Sequence, residues 1–292
     1  MKVLFIQNGI HPKNLNAIQK YNIQITTINH TNLDNIDLSE FDVIYSPCSP
    51  VNVSKYPNIK FIFGPHFSVF PNNEQMNLIR GNKNVIYVQP SDWARDVWKN
   101  NPICNGIRVE TMPFGVDTDK FNEIKTINER NNVFIYFKRR NPDELMLIQD
   151  LLREFNISYR VFNYLKRYNE NEYIDYLHNS KFGIWLDAHE SQGFALEEAL
   201  SCNVPLLVWD VTSMKQENGS NYSDISATTI PYWDERCGES FINSNELQRT
   251  FDKFINKINT YKPRELILEN LSIEKCSEKF INIVNKNLIN NN

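Results

Sequence analysis

The sequence predicts an α/β protein made of two Rossmann-like domains with parallel sheets, and three observations carry that prediction. Short apolar runs alternate with helical or irregular segments along the chain, the pattern of repeated β-α-β units. The 292 residues suit two domains of about 100 to 150 residues each. Residues 182–210 read as strand, loop, helix and strand without interruption, and their loop and helix carry charge where a packed core does not favour it.

Taken in order, the first strand is expected at 3–6, and the Gln7-Asn8-Gly9 loop behind it lies where an α/β domain presents backbone to ligands. No G-x-G-x-x-G follows, which argues against a dinucleotide-dependent oxidoreductase. Strands at 23–28 and 43–45 continue the series, with helical or irregular connections at 17–21 and 33–41. The strand at 60–64 runs into Pro65-His66-Phe67, so His66 is a candidate cleft residue at a strand end, and His11 in the first loop is a second. A strand at 85–88 leads to Ser91 and Asp92, either of which can cap a helix that ends before Pro102. The strand at 108–112 is followed by Pro113-Phe114-Gly115-Val116-Asp117 and Phe121.

The second half opens with a strand at 133–137 and the basic triplet Lys138-Arg139-Arg140 at its end. Asn141-Pro142-Asp143-Glu144 is a helix start: a cap residue, proline in the first helical position and an acidic first turn. That acidic turn repels phosphate, so the triplet must dominate if an anion docks here. Next come a strand at 159–162, the Asn163-Tyr164-Leu165 segment and a helix at 172–179. Behind the central unit lie a polar loop at 210–226, long enough for a mobile or acceptor-side element, and a short strand at 228–232. The charged aromatic turn at 233–238 has no assignable purpose. Amphipathic helices at 245–258 and 273–289 flank Pro263, and the tail Asn290-Asn291-Asn292 is expected to fray.

In the central unit, residues 182–186 are a short apolar run of the kind buried on both faces of a parallel sheet. His189-Glu190-Ser191-Gln192-Gly193 forms the loop, Leu196, Ala199 and Leu200 share one face of the helix at 194–202, and Pro205 stops it before the strand at 206–209. Glu190 and Glu198 stand eight positions apart, a span of roughly 12 Å or less at 1.5 Å per helical residue, comparable to the reach from a nucleotide ribose to a sugar on its diphosphate. Free backbone N–H groups around Gly193 face the space between. An ordinary helix with Glu197 and Glu198 both solvated is the competing interpretation.

Glu190, Gly193-Phe194, Glu198-Ala199 and Val204-Pro205 follow one another in the order of a known signature. The sequence resembles the retaining GT-B glycosyltransferases of the family 4 and glycogen-synthase-like type, with their E-x7-E motif. The resemblance covers roughly residues 85–289. Two departures stand out: Asn203 occupies a position where the family usually has Gly, and one extra residue separates Glu190 from the Gly-Phe pair. Asn tolerates the left-handed conformation, so the turn is expected to survive.

The resemblance implies a GT-B fold: two Rossmann-like domains with parallel sheets facing across a cleft, and a C-terminal helix returning to the first domain. The domains are then 1–116, acceptor-side; 117–270, nucleotide-sugar-binding; and 271–292, the returning helix. It implies that Glu190 lies near the donor sugar, with His66 facing the transferred sugar, and that Glu198 binds the ribose hydroxyls. Lys138, Arg139 or Arg140 and the backbone at Gly193 would bind the diphosphate. Arg140 would replace a family lysine where Asp143 and Glu144 now stand. Tyr164 and Leu165 would meet the base, and Gly9, Ser191, Gln192, Phe194 and Ala195 would complete the donor site. The implied activity is transfer of a sugar from a UDP- or GDP-type nucleotide sugar to a glycan or other hydroxyl acceptor, with retention, in glycan biosynthesis.

Composition narrows the alternatives. A hydrophobic fraction of 41%, with 18 Phe, 13 Tyr and 5 Trp, argues against disorder, and a net charge of −4 leaves no broad basic surface for nucleic acid. Five scattered cysteines without a C-x-x-C pair suit a reducing compartment and no zinc site. No signal peptide and no run of about 20 apolar residues is present, so a cytoplasmic protein without a transmembrane segment is expected. Asp117-Thr118-Asp119 spells a metal-carboxylate motif but falls in the linker, so no metal is expected, and no cofactor beyond the donor substrate. The competing functions are a nucleotide-sugar epimerase on the same fold and a non-catalytic nucleotide-sugar or glycan-binding protein.

Overall fold

The computed structural model describes residues 1–166 and 168–289, and it divides into two compact units. Residues 1–115 and 273–289 form one; Val116–Ser272 forms the other. The expected fraying at 290–292 lies outside the described residues.

The first unit is built on a parallel sheet of β1 (Lys2–Ile6), β2 (Gln24–Ile28), β3 (Val43–Ser46), β4 (Phe61–Phe63), β5 (Val85–Gln89) and β6 (Arg108–Thr111). Its strand order is β2-β1-β3-β4-β5-β6. β3, β4 and β5 are buried along their whole lengths, which is why they read as continuous apolar runs rather than alternating ones. Each buried Ile, Val or Phe side chain contributes about 1.5–3 kcal/mol. Helices α1 (Pro12–Gln19), α2 (Asn73–Ile79) and α3 (Asp92–Lys99) connect the strands, and α2 had no counterpart in the sequence reading. Trp98 of α3 stacks on Tyr87 of β5 with ring centroids 4.2 Å apart.

The second unit holds a parallel sheet of β7 (Asn132–Lys138), β8 (Arg160–Asn163), β9 (Ser180–Asp187), β10 (Leu206–Trp209) and β11 (Gly238–Phe241), ordered β11-β10-β9-β7-β8. Its helices are α4 (Pro142–Glu154), α5 (Glu170–His178), α6 (Phe194–Ser201), α7 (Leu247–Asn256) and α8 (Pro263–Asn270). Asn141 caps α4, its side chain accepting from the Asp143 N–H at 3.0 Å, with Pro142 in the first helical position. Trp185 of β9 stacks on Tyr136 of β7 at 4.0 Å. Gly183 leaves room for the Phe134 ring, because a Cβ there would lie 2.4 Å from it. Asn203 takes up the left-handed turn after α6, with φ of 57°.

α9 (Ile273–Ile289) packs within the first unit. Phe280 lies 6.0 Å from the Tyr21 ring and 5.8 Å from that of Tyr45, and Ser277 Oγ accepts from the Asn22 N–H at 3.1 Å. Gly115 permits the close pass at its start, since a Cβ there would stand 2.4 Å from Ile273 Cα.

One expectation is corrected. The strand placed at 228–232 does not form; the edge strand is β11, because Thr228 and Thr229 spend their hydrogen bonds on Asp210, Asp187 and Ala188 instead of a ladder. The turn at 233–238 is the run-in to that edge: Gly238 has φ of 139°, and a Cβ there would sit 1.9 Å from Leu206 O. The stretch 210–226 contains an antiparallel bridge between Ser213 and Ser226 and a 3-10 turn at Met214–Gln216.

Candidate active site

Both sheets reverse their strand order beside a central strand, and ligands of open α/β sheets bind beyond the C-terminal strand ends at such points. In the second unit this place lies between β7, followed in sequence by β8 on one side, and β9 on the other. Lys138 ends β7, Asp187 ends β9, and the two are register partners in the parallel ladder. The Lys138 ammonium stands 3.7 Å from Asp187 Oδ2 and forms an ion pair with Glu190 Oε1. It also lies 4.7 Å from the centroid of the Tyr164 ring. One cation thus draws together β7, β9, the loop before α6 and the turn after β8.

Asp187 was not foreseen as a site residue. It is buried, and burial pushes its carboxyl up to about 7, against the pull of Lys138. Thr229 Oγ1 donates to Asp187 O at 3.0 Å and to Ala188 O at 2.6 Å, and the Glu190 N–H donates to Thr228 O at 3.0 Å. The 228–229 segment therefore fixes the strand end and the Glu190 loop together. Asp210 holds that segment in turn, accepting from the Thr228 hydroxyl at 2.8 Å and the Thr229 N–H at 2.7 Å. Burial raises its pKa and these hydrogen bonds oppose the rise.

The basic triplet divides into different roles. Arg139 has φ of 52°, a left-handed conformation that costs a non-glycine residue about 1–2 kcal/mol. It is 47% exposed, and Nη1 donates to Glu217 Oε1 at 2.8 Å. Arg140 is 1% exposed and does not reach the site surface, which corrects the expectation that it contacts phosphate. Its guanidinium grips both carboxylate oxygens of Glu144 at 2.8 and 2.9 Å and donates to Asp187 O at 3.0 Å and Trp209 O at 2.6 Å. The acidic first turn of α4 is in this way partly neutralised from below, and Arg140 ties β9 to β10.

Gly193 stands at the N-cap of α6 with φ of 91°, a left-handed conformation that favours glycine. Ser191 is exposed, Gln192 and Gly193 are buried, and Phe194 and Ala195 are half-buried, with Ala195 O accepting from Tyr173 Oη at 2.9 Å. Glu198 is buried at 3% exposure. Glu197 is buried at 0%, where it accepts from Gln192 Nε2 at 3.0 Å. The competing interpretation, with both glutamates solvated, does not hold: α6 is enclosed on the side of both. Tyr164 and Leu165 are exposed on the 3-10 turn after β8, and Tyr164 alone of the pair reaches the Lys138 cluster.

The first unit has its own switch point, between β1 and β3. Gly9 follows β1 with φ of 71°, and Asn8 Nδ2 donates to Ser49 Oγ at 3.2 Å across the two strand ends. His66 follows β4, half-buried, and Asn14 Nδ2 of α1 lies 2.8 Å from its Nε2. An amide nitrogen can only donate, so Nε2 accepts and the ring proton resides on Nδ1. Burial first and then His11 lower the His66 pKa to about 4. His11 itself caps α1, Nδ1 accepting from the Lys13 N–H at 3.3 Å.

The paired parallel sheets define the GT-B architecture. No protein-family model matches the sequence and no curated protein matches it. Solved structures do. The chain is similar to the trehalose-6-phosphate phosphatase N-terminal domain of Candida albicans, at 12% identity and TM-score 0.60, covering 99% of this chain and 97% of that one. It is similar to a sucrose-phosphate synthase from Thermosynechococcus elongatus at 10% identity and TM-score 0.54, covering 98% of each chain. The lipopolysaccharide outer core galactosyltransferase WaaB matches at 13% identity and TM-score 0.54, over 98% of this chain and 99% of that one. At such identities the likeness establishes the fold. Among the described residues no helix is long and apolar enough to cross a membrane.

Proposed function

We propose that this chain is a glycosyltransferase that moves a sugar from a UDP- or GDP-type nucleotide sugar to a hydroxyl acceptor, with retention and without a metal ion. The observation that carries the proposal is the meeting of Lys138 and Glu190 at the switch point of the second sheet, in the loop that leads into α6. In this reading Lys138, Arg139 and the N–H groups after Gly193 receive the diphosphate, Glu198 the ribose, Tyr164 the base and Glu190 the sugar. The bond from the anomeric carbon to the diphosphate oxygen breaks, that carbon bonds to the acceptor oxygen on the face the diphosphate leaves, and the acceptor hydroxyl's proton passes to the departing diphosphate oxygen. Lys138 and Arg139 neutralise the charge that develops on the leaving nucleoside diphosphate, the part a metal ion plays elsewhere. For His66 the resemblance implies contact with the transferred sugar, and a neutral ring with its proton on Nδ1 suits hydrogen bonding to a hydroxyl. WaaB, described as a galactosyltransferase, and sucrose-phosphate synthase support sugar transfer as the chemistry of this fold.

The test is product analysis across a panel of UDP- and GDP-sugars. Transfer, or slow hydrolysis of one donor to free sugar and nucleoside diphosphate, is expected, and it should persist in chelator. An epimerised donor, or tight binding without turnover, overturns the transfer reading. Loss in chelator with recovery in manganese overturns the metal-independent one.

A further inference from the structure

Arg139, expected to take the donor phosphate, is held by a residue far along the chain. Glu217 is 8% exposed, and one oxygen accepts from Arg139 Nη1 at 2.8 Å while the other stands 3.5 Å from His189 Nδ1. His189 directly precedes Glu190, so one carboxylate hydrogen-bonds the segment after β7 and stands beside the loop before α6. Tyr222 meets the His189 ring edge to face at 5.3 Å. The backbone makes the same connection: the Asn218 N–H donates to Arg139 O at 2.8 Å, and Asn218 Nδ2 donates to Arg140 O at 3.4 Å. A left-handed arginine is thus clamped at its carbonyl and at its guanidinium by two successive residues of one loop.

We propose that Glu217 is a positioning residue: it sets the direction of the Arg139 guanidinium and, through His189, couples that direction to the loop that carries Glu190. The proposal rests on the transferase reading and deepens it, because it says what makes one of the two cations a preorganised anion receptor. An arginine on a flexible turn loses rotamer freedom on meeting a phosphate; one already anchored through one arm loses less and presents the rest of its fork at a fixed angle. The 47% exposure of Arg139 beside the 8% of Glu217 fits this division, with the anchor inside and the receptor outside.

The experiment is calorimetric titration of UDP and GDP into the wild-type chain, Glu217→Gln, Arg139→Ala and the double variant, with melting curves to confirm folding. Glu217→Gln should weaken nucleoside diphosphate binding about tenfold, the low end of what a charge-assisted hydrogen bond is worth, and the double variant should bind no worse than Arg139→Ala alone. In turnover the loss should fall on the donor KM more than on kcat. Should Glu217→Gln not fold, Glu217→Asp keeps the buried charge and withdraws it by one methylene, and it should still weaken binding. Unchanged affinity in a folded variant, or losses that add in the double variant, would overturn the role of Glu217 while leaving the transferase reading standing. If the wild-type chain binds neither nucleotide, the transferase reading falls and this inference with it.

Discussion

Lys138 and Glu190, 52 residues apart in sequence, form an ion pair in which neither side chain is more than one-fifth exposed. With Arg139 held by Glu217, both cations assigned to the donor phosphate have carboxylate partners in this structure. A phosphate that binds here must compete with Glu190 for Lys138, which links occupation of the phosphate position to the placement of the glutamate assigned to the sugar.

Replacing Lys138 and Arg139 together with Ala should therefore weaken donor binding, by about 1.5–3 kcal/mol for each charge-assisted hydrogen bond lost. The same change removes the Lys138 and Arg139 ion pairs of Asp187, Glu190 and Glu217, so Tm should fall as well. Calorimetry on a variant shown to be folded checks the prediction, and unchanged affinity there would place the phosphate site elsewhere.

Asp187 makes stability depend on pH in a stated direction. Its carboxyl is raised from the ordinary 3.8 to about 7, so the folded state binds more protons than the unfolded chain between those values. Its contribution is fully present below about 4 and is lost as pH rises towards 7. Melting curves from pH 5 to 8 should show this fall in the wild-type chain and a flatter profile in Asp187→Asn. Parallel profiles would mean that the group titrates normally.

His66 has the opposite sign. Its pKa is lowered from 6.5 to about 4, so the unfolded chain binds the extra proton and stability falls as pH drops through that window. The imidazole should stay neutral at pH 5, with its proton on Nδ1, which nitrogen-15 chemical shifts report directly. Asn14→Ala removes the amide that orients the ring and should relax the tautomer preference. A ring that protonates near 6.5 would contradict the burial on which this rests.

Much of the fold was legible because parallel strands buried on both faces write themselves as apolar runs. The strand 206–209 and the helix 273–289 were read with the ends the structure gives them. β11 was not, because Gly-Glu-Ser-Phe has one large apolar residue and its pairing is dictated by the backbone of Leu206. The site divides similarly. Lys138 and Glu190 follow recognisable strand and loop patterns, whereas Glu217 meets Arg139 across 78 positions with no local signal. Arg140 was misread since nothing in a basic triplet tells which member turns inward. The competing interpretation of α6 arises because two adjacent glutamates on a short helix look solvated until the helix is seen enclosed.

That burial changes how the glutamates can be told apart. Glu198→Gln should weaken donor and free nucleoside diphosphate alike, since the ribose is common to both. Glu190→Gln should leave nucleoside diphosphate affinity nearly intact and lower kcat, because the interaction it removes is strongest in the transition state. Glu197 is not a silent control: its change to Gln alters a buried hydrogen bond to Gln192, so it should lower Tm by a few degrees without distinguishing donor from nucleotide. The exposed Glu154 at the end of α4 is the better control, and its change to Gln should do neither. Calorimetry with donor and with nucleoside diphosphate, paired with steady-state kinetics, separates the three patterns. If Glu190→Gln costs nucleotide affinity as much as Glu198→Gln does, the two residues do not divide sugar from ribose and the motif is misaligned with the donor.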